Sequence, residues 1–192
     1  MFLVHDTFTG YCQTTTINVM GIALYVLFLL LQLFTASFII FLCVAFVTGG
    51  PFVPSSPLAV DAMIKEAHIK PGMTVYDVGS GDGRVLFAAA KKGATAVGIE
   101  INPYLVWYTQ IHTFFSPYRA RIRVHWGNLW TSDLRKADLV FVYLIPWKMN
   151  ELAKKLTNEL PKGAIVVSNS FIFPEWKLLR KDSRHHIYTF QV

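Results

Sequence analysis

The feature that most constrains the fold of this 192-residue chain is a glycine-rich turn at residues 79–83. The turn reads Gly-Ser-Gly-Asp-Gly and follows an apolar run at 74–78 that contains Asp77. Glycine permits backbone conformations that bring the main chain directly against a ligand. A second acid, Glu100, closes the next apolar run. Two strand-end acids around such a turn predict a nucleotide-like cofactor at the carboxyl end of a parallel sheet.

Charged residues are confined to one part of the chain. Residues 7–60 contain no Asp, Glu, Lys or Arg, whereas all 18 Lys and Arg residues lie from Lys65 onward. Both cysteines, Cys12 and Cys43, lie in the charge-free head, which argues against a disulfide framework or a metal cluster. The net charge of +6 suits anionic neighbours such as lipid headgroups or nucleic acid, and equally suits a solvated basic surface.

The charge-free head has the length of a membrane span. Gly21 to Val47 is an almost continuous apolar run of 27 residues, or about 40 Å of helix, against a bilayer core of roughly 30 Å. A cleaved signal peptide has a basic start and a shorter apolar run, and a soluble core helix has a polar face. We therefore predict a flank at 1–16 and a single transmembrane anchor at 17–47 that contacts the bilayer through Gly21 to Val47. Lys65 and Lys70 then favour a body on the cytoplasmic side, or the matrix side in a mitochondrion.

The remainder of the chain alternates between strand and helix patterns after a proline- and glycine-rich linker at 48–57. This alternation predicts one α/β domain at 58–192 with an open, largely parallel sheet. Helices are predicted at 58–67, 84–92, 103–115 and 148–160. Strands are predicted at 74–78, 94–101, 122–126, 137–144, 164–168 and 187–192, the last pairing with a segment near 176–179.

The acids of the turn separate two kinds of cofactor. Dinucleotides use the spacing G-x-G-x-x-G and place a pyrophosphate at the turn, where Asp77 and Asp82 would repel it. The same acids suit S-adenosylmethionine, which carries a sulfonium and an ammonium group. Glu100 is expected to accept hydrogen bonds from ribose hydroxyls, Asn128 to meet the adenine amino group and Leu129 to pack on the adenine ring. The predicted cofactor-binding residues are Asp77, Gly79, Ser80, Gly81, Asp82, Gly83, Glu100, Asn128 and Leu129, with no metal site.

With these motifs the body resembles the small membrane-anchored class I methyltransferases that trimethylate a lysine of the ATP synthase c-subunit or of the adenine nucleotide translocase, and their prokaryotic relatives. The resemblance implies a Rossmann-like, mostly parallel sheet of seven strands after one transmembrane helix, S-adenosylmethionine as methyl donor and lysine as acceptor. Asn128 replaces an Asp of the mitochondrial members, and its amide oxygen still accepts from the adenine amine. The matching segments are Pro51-Phe52-Val53-Pro54-Ser55, residues 77–84, Glu100-Ile101-Asn102-Pro103, Leu105-Val106-Trp107-Tyr108, Gly127-Asn128-Leu129-Trp130 and Val167-Ser168-Asn169-Ser170-Phe171.

The sequence defines the binding site for the acceptor less well than the cofactor site, and it does not identify a catalytic residue. A lysine must arrive neutral, and burial among aromatic side chains favours its neutral form. Candidates at the end of the fourth strand are Tyr143, Pro146 and Trp147. Backbone carbonyls at 144–146 are expected to aim the amine, and Tyr143 and Trp147 either face the methylated cation or serve in packing. Asn169, after the fifth strand, either lines the acceptor channel or caps a loop. Residues 51–55 either cross the cofactor or form a stiff linker.

The predicted function is methylation of a lysine in a membrane protein, of which the ATP synthase c-subunit is one example, with an amine-bearing lipid as the next choice. A nucleic-acid methyltransferase is the second enzyme class, and Arg119, Arg121 and Arg123 would contact its phosphates. Residues 144–147 lack the polar residue that grips a flipped base, so nucleic acid is disfavoured. A noncatalytic, membrane-tethered nucleoside sensor is the alternative outside the enzymes.

Overall fold

The structure is a computed structural model that describes residues 5–48, 50, 52–173 and 175–192. The chain divides into two compact units, Met1–Ile40 and Phe41–Val192. Helix α1, His5–Thr48, forms the described part of the first unit and continues into the second. By length and composition alone, its segment Asn18–Val47 can cross a membrane. The helix begins before the predicted span because apolar composition sets a span, whereas a helix continues until a residue such as proline stops it.

The second unit contains a seven-stranded sheet in the order β3-β2-β1-β4-β5-β7-β6. Strands β1 to β5 pair in parallel, whereas β7 lies antiparallel between β5 and β6. This confirms the predicted seven-strand, mostly parallel sheet. The strands are β1 Thr74–Val78, β2 Thr95–Glu100, β3 Ile122–Trp126, β4 Leu139–Val142, β5 Ile165–Asn169, β6 Leu178–Asp182 and β7 Ile187–Gln191.

Four helices of the second unit follow α1, and side-chain caps fix two of their starts. The Ser56 hydroxyl accepts from the Ala59 amide at 3.2 Å at the start of α2, and the Asn102 side chain accepts from Tyr104 at 3.0 Å at the start of α4. Strand β4 is shorter than predicted because the Ala137 amide is engaged in a turn with the Leu134 carbonyl. Short 3₁₀ turns at Arg119–Arg121 and Pro146–Lys148 were not predicted. The helices are α2 Pro57–Ala67, α3 Arg84–Lys91, α4 Pro103–Phe115 and α5 Met149–Glu159.

The central strands of the sheet are buried on both faces, which explains why they read as continuous apolar runs. Along β4, Leu139 and Phe141 pack in one apolar cluster, whereas Val140 and Val142 pack in the other. All four side chains are fully buried, and each such burial stabilises the fold by about 1.5–3 kcal/mol. The two clusters hold the parallel strands in register, so their carboxyl ends meet at one edge of the sheet.

Candidate active site

A cavity of about 260 Å³ lies at the carboxyl ends of β1, β2 and β4. Its sheet end is polar and its other end is apolar and aromatic. All the predicted cofactor-binding residues except Gly83 line it. The apolar end is lined by Leu42, Ala45, Phe52, Val53, Leu105, Tyr143, Ile145 and Phe171.

The glycine turn is held to the sheet by its own backbone. The amides of Gly79 and Ser80 both donate to the Ile99 carbonyl, at 2.8 and 3.1 Å. Gly81 has φ +54, and a Cβ at this position would lie 2.6 Å from the Phe52 ring. Any other residue at 81 would therefore be strained and would displace the ring. The turn is a glycine turn because a neighbouring aromatic ring approaches its main chain.

Glu100 ties the turn to the start of α4. One carboxylate oxygen accepts from the Gly81 amide and the other from the Asn102 amide, both at 2.8 Å. Burial raises the pKa of Glu100, and hydrogen bonds from Asn102, Gly81 and Ile101 partly oppose the shift. A carboxylate oxygen can accept more than one hydrogen bond, so both oxygens keep capacity for ligand hydroxyls.

Asp77 is a buried acid beside Glu100 that has no hydrogen-bond partner among the described residues. It is 7% exposed, and no described residue donates a hydrogen bond to its carboxylate. Burial, followed by the charges of Glu100 and Asp82, raises the pKa of Asp77 to about 7. An unpaired buried carboxylate is costly. A cationic ligand group at this end of the cavity would relieve that cost.

Asp82 has a different environment from Asp77, although both line the cavity. The Arg84 Nε donates to both Asp82 oxygens, at 2.9 and 3.1 Å. Burial alone would raise the pKa of Asp82, but the hydrogen bonds from Arg84 hold it below its ordinary value. The charge of Asp82 is thus already balanced inside the protein. Of the two acids predicted to attract a cation, Asp77 is therefore the one whose charge no described side chain balances.

Residues 52–55 lie across the cavity, and we call them the crossing segment. All four line it, and Ser55 is held from two directions. The Arg84 guanidinium donates to the Ser55 carbonyl, and the Asn169 side chain donates to its hydroxyl at 3.2 Å. Pro51, which the sequence argument included, lies outside the described residues. Of the two expected roles, these contacts favour a segment that crosses the cavity over a free linker.

The four acceptor-side candidates do not converge on one point. Tyr143 lines the cavity and stacks on Phe171 with ring centroids 6.5 Å apart. Pro146 and Trp147 are exposed in a 3₁₀ turn and are not among the described lining residues, and Trp147 meets the Phe46 ring edge-on. Asn169 is buried behind the crossing segment, and its amide oxygen accepts from the Ser170 hydroxyl.

Asn128 and Leu129 line the cavity after β3. The Asn128 side-chain oxygen accepts from the Trp130 amide at 3.0 Å, so it also caps this turn. The sequence assigned no individual role to Arg84 or Phe171, and it assigned Phe52 a role only as part of the segment 51–55. The spacing Asp-x-Arg, which allows the side chains two residues apart to pair, was the available signal for Arg84.

The sequence of this chain is similar to known lysine methyltransferases. A family model described as the ANTKMT methyltransferase domain matches residues 77–180. The human ATP synthase c-subunit lysine N-methyltransferase is 38% identical over 126 residues, which are 66% of this chain and 54% of the human protein. The chain thus spans about half the length of that curated relative. A protein-lysine N-methyltransferase from Saccharolobus islandicus (strain REY15A) is 33% identical, with 69% of this chain and 83% of the archaeal protein covered.

Among solved structures, the chain is similar to an RNA methyltransferase from Salinibacter ruber in complex with S-adenosyl-L-homocysteine. The TM-score is 0.70 at 32% identity, and the match covers 73% of this chain and 94% of the Salinibacter chain. This similarity confirms the predicted class I methyltransferase fold.

Proposed function

Because the chain belongs to the family of the ANTKMT methyltransferase domain, we propose that it transfers a methyl group from S-adenosylmethionine to a lysine amine. The observation that carries the proposal is the polar end of the cavity, where Asp77 is a buried acid beside Glu100 that accepts no hydrogen bond from the described part of the chain. Such a site needs a ligand with a positive charge and with hydroxyl donors. When bound, S-adenosylmethionine supplies an electrophilic methyl group on a sulfonium.

The residues of the cavity fit this donor. Asp77 would bind the ammonium group, Glu100 the ribose hydroxyls, and the turn at 79–83 would place its main chain against the amino acid portion. Asn128 would accept from the adenine amine and Leu129 would pack on the ring. The complex of the Salinibacter relative with S-adenosyl-L-homocysteine supports this assignment.

The apolar end of the cavity suits an acceptor amine. A free lysine has a pKa of about 10.4, and removing its proton at pH 7 costs about 4.6 kcal/mol at about 1.36 kcal/mol per unit. The rings of Tyr143 and Phe171 and the side chain of Ile145 would exclude water and lower that pKa by desolvation. Backbone carbonyls at 144–146 would orient the amine. The protein therefore contributes mainly by positioning and desolvating the acceptor amine, and the transfer needs no dedicated base.

We further propose a single-pass membrane protein. Residues 17–47 form its anchor, 48–57 its linker and 58–192 its methyltransferase domain. The apolar length of Asn18–Val47 supports the anchor, and Lys65 and Lys70 support a domain on the cytoplasmic or matrix side. A short tether raises the effective concentration of membrane-embedded acceptors. The favoured substrate is a lysine in a membrane protein similar to the ATP synthase c-subunit, since a relative is named for that substrate.

The test is to incubate the full-length chain in membranes with isotopically labelled S-adenosylmethionine. We expect a labelled protein band that disappears with Glu100→Ala and persists with Glu151→Ala, which removes an exposed acid of α5. Mass spectrometry of the band then identifies the methylated residue. Label found in the lipid fraction would instead identify an amine-bearing lipid. Tight cofactor binding without transfer would identify the noncatalytic sensor.

A nucleic-acid methyltransferase is the second candidate. The Salinibacter relative described as an RNA methyltransferase favours it, as do the exposed side chains of Arg119, Arg121 and Arg123. Against it, Leu144, Ile145 and Pro146 follow β4 without a polar side chain to grip a base. Adding purified RNA to the same assay separates the two: label in RNA but in no protein would overturn the lysine assignment.

A further inference from the structure

The outward face of α4 is apolar, in contrast to the polar outward face of an ordinary surface helix. Its inward face is defined by Val106 and Thr109, which are buried. At 3.6 residues per turn, six large side chains fall within about 120° on the opposite face. Trp107, Phe114 and Phe115 are 66%, 67% and 79% exposed. We call these six residues the α4 stripe: Tyr104, Trp107, Tyr108, Ile111, Phe114 and Phe115.

The sequence around the α4 stripe is free of acids. Residues 101–132 contain no Asp or Glu but contain Arg119, Arg121 and Arg123. The three arginines are exposed and lie just after the C-terminal end of α4, in a 3₁₀ turn and on the edge strand β3. Trp126, 66% exposed, also lies on β3, and its indole donates to the Ile101 carbonyl beside the start of α4. Aromatic side chains with neighbouring arginines are the composition of an interfacial membrane surface.

The start of α4 lies beside the last turns of α1. The Phe41 and Tyr104 rings meet edge-on with centroids 6.1 Å apart, and Leu42 and Leu105 line the same cavity. Phe41 is six residues before Val47, the end of the apolar segment, which is about 9 Å along a helix axis. A helix that contacts the end of a membrane span lies at the height of the headgroups.

We propose that the α4 stripe is a second membrane contact, which lies in the interfacial zone of a bilayer that contains anionic phospholipids. The inference rests on the proposed anchor. The rings enter the boundary between headgroups and acyl chains, and Arg119, Arg121 and Arg123 meet lipid phosphates. Two points of attachment hold the domain in one orientation, with the apolar end of the cavity at headgroup level. Acceptor amines then reach the cavity from the membrane surface.

The test uses the full-length chain reconstituted in phosphatidylcholine vesicles with and without phosphatidylglycerol. Single spin labels are placed after Cys12 and Cys43 are replaced by Ser. Phe115→Cys reports the α4 stripe and Leu33→Cys reports the anchor. Lys162→Cys is the matched surface control, because it is exposed and precedes β5, at the amino ends of the parallel strands. Power saturation compares the accessibility of each label to oxygen, which concentrates in lipid, with that of a water-soluble nickel chelate.

We expect the label at 115 to collide several-fold more with oxygen relative to nickel than the label at 162, and the difference to grow with phosphatidylglycerol. A label at 115 that behaves like the one at 162, while the label at 33 is lipid-embedded, would overturn the α4 contact and leave the anchor intact. Dipolar broadening between labels at 115 would assign the stripe to a second copy and also overturn the proposal. A water-exposed label at 33 would overturn both the α4 contact and the anchor.

Discussion

The two ends of the cavity are built in different ways. At the sheet end, backbone amides of the glycine turn and of α4 fix Glu100, and strand β1 fixes Asp77. At the apolar end, Tyr143 and Phe171 are held by ring packing, and Trp147, which does not line the cavity, is 65% exposed in the turn that follows. The cofactor is the same in every reaction, so its site can be fixed by main-chain hydrogen bonds. The acceptor differs between enzymes, so the side chains at the apolar end can differ as well. We therefore expect substitutions at the sheet end to change cofactor affinity, and substitutions at or beside the apolar end to change kcat/KM for the acceptor.

The largest effect is expected from Glu100→Ala. The substitution leaves the Gly81 and Asn102 amides without their acceptor, which costs about 1–3 kcal/mol each when buried. Affinity for S-adenosylhomocysteine should fall at least about 100-fold, or about 2.8 kcal/mol at 1.4 kcal/mol per factor of ten, as measured by calorimetry. Glu151→Ala should leave the affinity unchanged. Retained affinity in Glu100→Ala would show that Glu100 does not hold the cofactor.

Asp77→Asn should separate stability from binding. The folded pKa of about 7 lies above the ordinary 3.8, so between these values the folded chain holds a proton that the unfolded chain has lost. Stability of the ligand-free protein therefore falls as pH rises from about 4 to about 7, and the full penalty remains above pH 7. At about 1.36 kcal/mol per pKa unit, the Asn variant should be more stable by up to about 4 kcal/mol at pH 8 and little changed at pH 4.

The same Asp77→Asn variant should bind S-adenosylhomocysteine about 10-fold more weakly at pH 8, because the ammonium group loses its counter-charge. Denaturant unfolding at pH 4 and pH 8 and calorimetry at pH 8 are the measurements. Equal unfolding free energies of the two proteins at pH 8 would show that Asp77 has a partner when ligand is absent.

Arg84→Ala tests whether the crossing segment belongs to the cofactor end. Loss of the bond to the Ser55 carbonyl should free residues 52–55 and uncover Asp82, with about a 5-fold loss of cofactor affinity. The matched control is Arg135→Ala, because Arg135 forms the same two-residue pairing with Asp133 on the surface. Hydrogen exchange of residues 52–56 should increase in Arg84→Ala only. Equal behaviour of both variants would show that the segment is held without Arg84.

The smallest effects on cofactor affinity are expected at Tyr143, at the apolar end of the cavity, and at Trp147, in the turn beside it. Tyr143→Ala should lower kcat/KM for the acceptor about 10-fold, and Trp147→Ala about 2-fold, since Tyr143 lines the cavity and Trp147 does not. The dissociation constant of S-adenosylhomocysteine should stay unchanged in both variants. A larger loss in Trp147→Ala than in Tyr143→Ala would place the acceptor path over the exposed turn rather than through the cavity.

The alternation of strands and helices, the mostly parallel sheet and the glycine turn with its two acids are the parts that sequence patterns can reach. The glycine turn, Asp77 and Glu100 are close in sequence, and their spacing reflects one βαβ unit. The link between Ser55 and Asn169 spans 114 residues and depends on how the whole sheet packs. No local pattern contains that contact. The 3₁₀ turn at Pro146–Lys148 was also missed, because a proline at the start of a turn does not fix where the next aromatic side chain points.

The interposed position of β7 has a consequence for biosynthesis. Strand β6 is made before β7 but reaches the sheet only through it, since β7 lies between β5 and β6. Residues 178–182 must therefore wait for 187–191 to leave the ribosome before they find a partner strand. The apolar helix at the other end of the chain emerges long before that moment. With the proposed anchor at 17–47, translation order would place membrane insertion ahead of completion of the sheet, and the domain would finish folding at the bilayer surface.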